Sequence, residues 1–161
     1  MECLSFRISK FIYKEKRLNT WLILPGKFTK PGKDKEMDTI LEYINYLEKR
    51  IPEKDSLKIV KAEAEKFYQT HSFDECSQMG YELYRSDNFQ IQEVGVFLFG
   101  YAAHENAKAL SFLKNTVSQN NSWKVQEILA MAFDNHCKII GYEATLPVIQ
   151  EWLDSDCANA R

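Results

Sequence analysis

Apolar residues recur at helical spacing along most of the chain after residue 36. A spacing of three or four residues places side chains on one face of a helix, and the first run ends before Pro52. Its apolar members are Met37, Ile40, Leu41, Ile44, Leu47 and Ile51, and those of a second run are Leu57, Val60, Ala64 and Phe67. The sequence Ser72-Phe73-Asp74-Glu75 is typical of a capping box and predicts the start of a third helix.

Two later helices repeat one pattern at an offset of 34 residues. Residues 89–94 read FQIQEV and residues 123–128 read WKVQEI. A second helix is predicted after each copy, with Ala107, Leu110, Leu113 and Val117 on one face of the first and Leu146, Ile149 and Leu153 on one face of the second. A period of about 35 residues indicates stacked helix pairs, none of which buries its apolar face alone. A third copy is expected to start at residues 155–159.

Several small or polar residues predict local details of these helices. Ser122 is expected to cap the helix of the second copy, Gly141 to end it, and Pro147 to lie in the first turn of the next helix. Glycine inside a helix costs about 1 kcal/mol relative to alanine. Gly95 and Gly100 therefore predict that a neighbouring helix approaches the first copy closely.

The helix of the second copy has two opposite faces. The face expected to pack carries Val125, Ile128, Leu129, Ala132 and His136. We expect His136 to be a hydrogen-bonded core histidine. The other face carries Trp123, Glu127, Ala130 and Asp134, and the corresponding positions of the first copy are Phe89, Glu93, Val96 and Gly100. Stacked side by side, the two helices are expected to present a Phe, a Trp and three carboxylates along one surface.

Residues 1–35 differ from this helical pattern. They hold nine Lys/Arg against three Asp/Glu, with weak alternation and two Pro-Gly pairs, whereas residues 71–161 hold six Lys/Arg against twelve Asp/Glu. We predict an irregular or weakly β basic arm and linker over 1–35 and a helical repeat domain over 36–161. An acidic helical body is a poor match for the phosphates of nucleic acid.

Composition narrows the class of protein further. The chain has 161 residues, 45% of them hydrophobic, and a net charge of −2. The sequence has no run of 18 apolar residues, so we predict no membrane-spanning helix. The four cysteines form no CxxC pair, and the sequence has no cluster of metal-ligand spacing. We therefore expect a cytoplasmic protein with free thiols and no metal or cofactor.

An indole face next to carboxylates suits one kind of ligand. A tryptophan attracts a cationic ring by a cation–π contact, and a nearby carboxylate stabilises positive charge. A cationic alkylated purine already carries a good leaving group. Its loss through an oxocarbenium-like state depends more on electrostatic stabilisation than on strong acid catalysis.

At these residues the sequence resembles the AlkC/AlkD-type DNA alkylation repair proteins, which are built from HEAT-like repeats. The resemblance runs from about residue 68 to residue 161 and is clearest in residues 86–96, 123–127 and 141–153. It implies a right-handed α-solenoid of antiparallel helix pairs whose concave face holds duplex DNA. It also implies a monofunctional glycosylase that excises positively charged alkylpurines.

The resemblance assigns roles to individual residues. The family's Trp-x-x-x-acid motif falls on Trp123 and Glu127, although AlkD-like members have Asp at the second position. Trp123 and Glu127 are thus the implied catalytic residues, and the substrate-binding candidates are Asp134, Glu93, Phe89 and Arg161, the last as a phosphate contact. Family members are longer, so we expect the chain to be incomplete at its C-terminus, with a possible protein partner there. The alternative is a non-catalytic helical-repeat scaffold.

Overall fold

A computed structural model of the chain describes residues 33–160, with side chains from residue 40 onward. All regular structure in this part is helical, which confirms the all-α prediction. The helices are α1 (Lys33–Arg50), α2 (Leu57–Thr70), α3 (Phe73–Tyr84), α4 (Phe89–Ala102), α5 (Ala107–Asn115), α6 (Trp123–Ile140) and α7 (Tyr142–Leu153), with a 3₁₀ turn at Val117–Gln119. Residues 1–32 of the predicted arm and linker (1–35) and the predicted phosphate contact at Arg161 lie outside the described residues, and residues 33–35 belong to α1.

Two of the three predicted helix ends have the expected chemistry. The Ser72 Oγ accepts a bond of 3.3 Å from the Glu75 backbone N–H, and the Ser72 N–H donates to the Glu75 carboxylate at 2.7 Å. These two bonds are the capping box of α3. Gly141 separates α6 from α7 with φ at +96°, a conformation that glycine adopts without strain. Ser122 occupies the N-cap position of α6, but its side chain makes no capping bond.

Helix α4 is the centre of the domain and packs against α2, α3, α5 and α6. Every residue from 90 to 102 is buried except Gln92. Two glycines allow this packing: a Cβ built on Gly95 would lie 2.8 Å from the Gly80 carbonyl oxygen, and one on Gly100 would lie 2.8 Å from the Ala132 Cα. The predicted close approach is therefore confirmed, because backbone atoms occupy the space of both absent side chains.

Helix α7 packs by a different face from the predicted one. Leu146 and Leu153 are 58% and 50% exposed, whereas Thr145 and Trp152 are buried. The Trp152 ring stacks on Phe133 of α6, with centroids 4.4 Å apart, and this contact turns both leucines outward. The prediction for Pro147 is also wrong, since α7 starts directly after Gly141 and Pro147 lies in its second turn.

The C-terminal residues fold back on the first copy. Residues 155–160 form turns, and the Asn159 side-chain amide donates to the Ser118 carbonyl at 3.0 Å. The Cys157 thiol bonds the same oxygen at 3.4 Å. Among the described helices, none has the length and apolar character needed to cross a membrane.

His136 departs from its predicted environment. It is buried as expected, but neither ring nitrogen has a hydrogen-bond partner among the described residues. Burial, and secondarily the nearby His104, lowers the pKa of His136 below its ordinary value. The imidazole is therefore held in its neutral form, since a buried charge without a partner is costly.

The glycine contact at Gly100 gives a first prediction. Alanine is the better helix former by about 1 kcal/mol, but Gly100→Ala places a methyl group against Ala132 backbone atoms. We expect a net loss of about 1–3 kcal/mol in the free energy of unfolding, as for other overpacked cores. Urea unfolding measures it, with Ala130→Gly on an exposed position as the control for helix propensity alone. A gain in stability for Gly100→Ala would contradict the close contact.

His136 gives a second prediction. Its pKa is lower in the folded protein than the unfolded value near 6.5. The unfolded chain thus takes up the proton first, and the contribution of His136 to stability is present above pH 6.5 and is lost as the pH falls below it. We expect the free energy of unfolding of His136→Leu to fall less than that of the unaltered chain when the pH is lowered from 7.5 to 5.5. This interval spans one histidine titration. If the free energies of unfolding of the two proteins fall equally with pH, protonation of His136 does not destabilise the fold.

Candidate functional site on helix α6

Four residues form an outer line on α6, as the sequence predicts. Trp123, the first residue of the helix, is 70% exposed. Glu127 and Ala130 are exposed, and Asp134 is partly buried. The opposite face of α6, with Val125, Ile128, Leu129, Ala132 and His136, is buried. The side chains of Trp123 and Glu127 are thus adjacent on one accessible face, one helical turn apart.

The equivalent line on α4 is not part of this surface. Glu93 is 3% exposed, Val96 is fully buried, and Gly100 lies under Ala132 of α6. The expectation of a shared surface with three carboxylates is therefore wrong. Residues of α4 at these positions form an inner seam that α6 covers, because the close approach at Gly100 brings the two helices into contact along their length.

A lysine of α6 lies over an aromatic ring of α4 and affects the pKa of a carboxyl group in the inner seam. The Lys124 ammonium lies 4.2 Å from the centroid of the Phe89 ring, a cation–π contact. The pKa of Glu93 is raised to about 7, chiefly by burial; Lys124 opposes this increase and Glu127 adds to it. Near neutral pH the Glu93 carboxyl group is therefore only partly ionised.

Asp134 and Glu127 differ in their partners. Asp134 forms an ion pair with Lys138 and accepts a hydrogen bond of 3.3 Å from the Tyr142 hydroxyl. The Lys138 hydrogen bond lowers the pKa of this carboxyl group. Glu127 makes no hydrogen bond or ion pair with the described residues. Its charge is the one left available to an incoming ligand on the outer line.

The two copies thus contain the same aromatic–carboxyl pair in different states. In the first copy Lys124 contacts Phe89 and is close enough to Glu93 to affect its pKa. In the second copy no lysine or arginine of residues 40–160 lies over the Trp123 ring. The sequence analysis did not single out Lys124, because the first copy has no lysine at the corresponding position. The small residues Val96 and Gly100 do indicate that another helix covers this line of α4.

No metal centre is present in the described part of the chain, where no three His, Cys, Asp or Glu side chains are grouped to bind an ion. On the outer line, an exposed indole face lies one helical turn from a carboxylate that makes no bond with the described residues. Both groups attract an organic cation.

The stacked helix pairs define a HEAT-like helical-repeat protein, and two solved structures narrow this class to the AlkD type. The crystal structure of AlkD2 from Streptococcus mutans matches with a TM-score of 0.72 and 36% identity, over 76% of this chain and 59% of that one. The crystal structure of smu.31 from Streptococcus mutans UA159 matches with a TM-score of 0.68 and 37% identity, over 76% of this chain and 58% of that one. No protein-family model and no curated protein sequence matches.

This chain is therefore AlkD-like, and the resemblance read from its repeat motifs is confirmed. It spans 59% of the length of AlkD2 and 58% of the length of smu.31. The predicted HEAT-like solenoid fold is confirmed by the same similarity.

The raised pKa of Glu93 gives a third prediction. A tenfold change in proton affinity is about 1.4 kcal/mol, so an increase from 4.5 to about 7 corresponds to about 3 kcal/mol. Between pH 4.5 and about 7 the Glu93 carboxyl group is protonated in the folded protein and ionised in the unfolded chain. The stability that this proton contributes is therefore complete below pH 4.5 and is lost as the pH rises through 7.

Glu93→Gln keeps the shape of the neutral acid and removes the titration. We expect it to match the unaltered chain at low pH and to be up to about 3 kcal/mol more stable at pH 8, in urea unfolding. Glu127→Gln, at an exposed position, is the control and should change the pH profile little. Lower stability of Glu93→Gln at pH 8 would mean that Glu93 is a stabilising anion.

Proposed function

We propose that this chain acts in DNA alkylation repair and that Trp123 and Glu127 contact a cationic alkylated purine in duplex DNA. Similarity to AlkD-type structures supports the repair role. The finer assignment, a monofunctional glycosylase that excises the cationic base, rests on the chemistry of the outer line.

One observation carries the proposal: the molecule already contains a cation in the equivalent position. Lys124 lies over Phe89 and affects the pKa of Glu93, and Trp123 and Glu127 have the same sequence spacing as Phe89 and Glu93, 34 residues further along. The second pair has the stronger π-face, since tryptophan exceeds phenylalanine in cation–π attraction. Its carboxylate is exposed and makes no bond with the described residues, so a ligand cation can take the place that lysine has in the first copy.

The proposed reaction is hydrolysis of an N-glycosidic bond. The bond between the sugar C1′ and the purine nitrogen breaks, and its electron pair neutralises the cationic base as it leaves. Water then bonds to C1′ and releases a proton. Glu127 stabilises the positive sugar in the transition state and orients the water, while Trp123 holds the charged purine by its face.

The other predicted residues take secondary positions in this proposal. Asp134, already compensated by Lys138, borders the site and adds little charge to it. Phe89 contacts Lys124, Glu93 is buried in the inner seam, and both act on the ligand only through the packing of α6 on α4. Arg161 stays a predicted phosphate contact.

A non-catalytic helical-repeat scaffold is the second candidate. It is favoured by charge, because residues 142–160 contain four acidic residues and no lysine or arginine. Phosphate neutralisation by Lys/Arg dominates DNA affinity, so an acidic surface weakens DNA contact. The two candidates differ in their expected response to methylated DNA.

The fourth prediction separates them. Methylated duplex DNA is incubated with the protein, and release of free 7-methylguanine is measured together with DNA binding at low and high salt. We expect release that falls about 100-fold or more in Glu127→Gln, the scale for removal of one transition-state charge partner. Trp123→Leu should weaken binding to methylated DNA more than to unmethylated DNA.

Glu143→Gln on α7 is the matched control, because it removes one exposed carboxylate of the same type outside the outer line. Helical circular dichroism of each variant tests the fold. Salt-sensitive preference for methylated DNA without base release would overturn the glycosylase assignment and leave lesion recognition. Absence of both release and binding would favour the scaffold.

A further inference from the structure

Two hydrogen bonds to one residue hold the turn that precedes α6. The Asn120 side-chain carbonyl accepts from the Ser122 backbone N–H at 2.8 Å. The Gln126 side-chain amide donates to the Asn120 backbone carbonyl at 2.6 Å. The same amide lies 3.0 and 3.3 Å from two further carbonyl oxygens of the turn. We call the two bonds to Asn120 the loop clasp.

The first copy of the repeat has the same pair of bonds before α4. The Ser86 hydroxyl accepts from the Asn88 N–H at 3.1 Å, and the Gln92 side-chain amide donates to the Ser86 carbonyl at 2.7 Å. Each of these residues lies 34 positions before its counterpart in the loop clasp. The glutamine of the repeated Gln-Glu pair thus fixes the turn before its own helix in both copies.

The second copy depends on these bonds more than the first, because α6 lacks a side-chain cap. Asn88 caps α4 by accepting from the Gln90 N–H at 2.9 Å, whereas the Ser122 side chain makes no capping bond at the start of α6. Helix ends fray, and an end without a cap is less stable than a capped one. The loop clasp therefore holds the first turn of α6 in place of a cap.

Trp123 takes its position from this turn. It is the first residue of α6 and follows Ser122 directly. Its ring is largely exposed, and among the described residues no aromatic ring, lysine or arginine packs on it. A side chain without packing partners takes its direction from its backbone, which determines the allowed rotamers. Movement of the turn would therefore move the indole face relative to Glu127.

Asn120 also ties the turn to the first copy. Its side-chain amide donates to the Tyr84 hydroxyl at 3.0 Å and to the Gln92 side-chain carbonyl at 3.3 Å. The Tyr84 ring packs edge-on against Phe112 of α5, with centroids 5.3 Å apart. The turn before α6 is thus anchored on helices of the preceding unit.

We infer that Asn120 and Gln126 are positioning residues for Trp123, because the loop clasp fixes the direction of the indole face. The inference rests on the proposed function for the ligand that this face contacts. Neither residue belongs to the outer line, so both act through the backbone that carries Trp123. Such placement matters, since a misplacement of about 1 Å can reduce a rate about 100-fold.

The fifth prediction concerns the backbone order of Trp123 in the full chain. Asn120→Ala removes the acceptor for the Ser122 N–H, and Gln126→Met removes the amide donor from a side chain of similar length. Order parameters of the backbone amides, measured by NMR, are about 0.85 for rigid backbone and below about 0.6 for flexible backbone. We expect the Trp123 amide to be rigid in the unaltered chain and to fall to about 0.6 in both variants.

Three further variants test the role of the loop clasp. Asn120→Ser is the conservative variant, because serine is the equivalent residue of the first copy and its hydroxyl accepts the same bond there. It should keep the order of Trp123. Asn115→Ala and Gln150→Met are matched controls, since each removes one exposed side-chain hydrogen bond outside the loop clasp. Both controls should also leave Trp123 ordered.

Base release from methylated duplex DNA measures the consequence for the site. We expect Asn120→Ala and Gln126→Met to reduce the rate of release by about tenfold to 100-fold. Binding of unmethylated DNA should not change, because it does not require the indole contact. A role in fold stability alone would lower release and binding together, in proportion to the unfolded fraction.

Three results would overturn the inference. The first is a Trp123 amide that is as ordered in Asn120→Ala and Gln126→Met as in the unaltered chain. The second is equal loss of order in Asn120→Ser and Asn120→Ala. The third is an unchanged rate of release in variants whose Trp123 amide has lost order. If the unaltered chain releases no base, the proposed function fails, but the order parameters still decide the inference because they are measured without DNA.

Discussion

The domain depends on backbone contact between α4 and its two neighbours. At Gly95 and Gly100 there is no room for even a methyl group, because carbonyl and Cα atoms of α3 and α6 fill the space. Close approach of this kind buries α4 almost completely, on all its sides. Each helix pair is therefore stable only when stacked on the next, which is the general property of solenoids.

The same contact decides which carboxyl groups are accessible. Because α6 lies against α4, Glu93 is withdrawn from water and its pKa rises to about 7, while Lys124 is drawn over Phe89. One repeat further along, no described helix lies against Trp123 and Glu127, so this pair keeps its exposure. The candidate site is thus one copy of a repeated motif in a more exposed environment than the other copy.

Sequence reasoning predicted much of this structure because local chemistry determines it. The capping box at Ser72, the end of α6 at Gly141 and the exposed side of α6 follow from short-range patterns. The same short-range patterns do not predict how the helices pack against one another. The stacking of Trp152 on Phe133 rotates α7, and coverage by α6 buries Glu93. Neither contact has a signal within one helix.

The outer line of α6 also differs in its chemistry from the inner seam of α4. Gly100, which admits Ala132 at backbone distance, is replaced by Asp134, and that carboxylate is held by Lys138 and Tyr142. A helix could not approach α6 there as closely as α6 approaches α4 without desolvating this charged group. The substitution therefore favours a polar ligand on the outer line over a further closely packed helix.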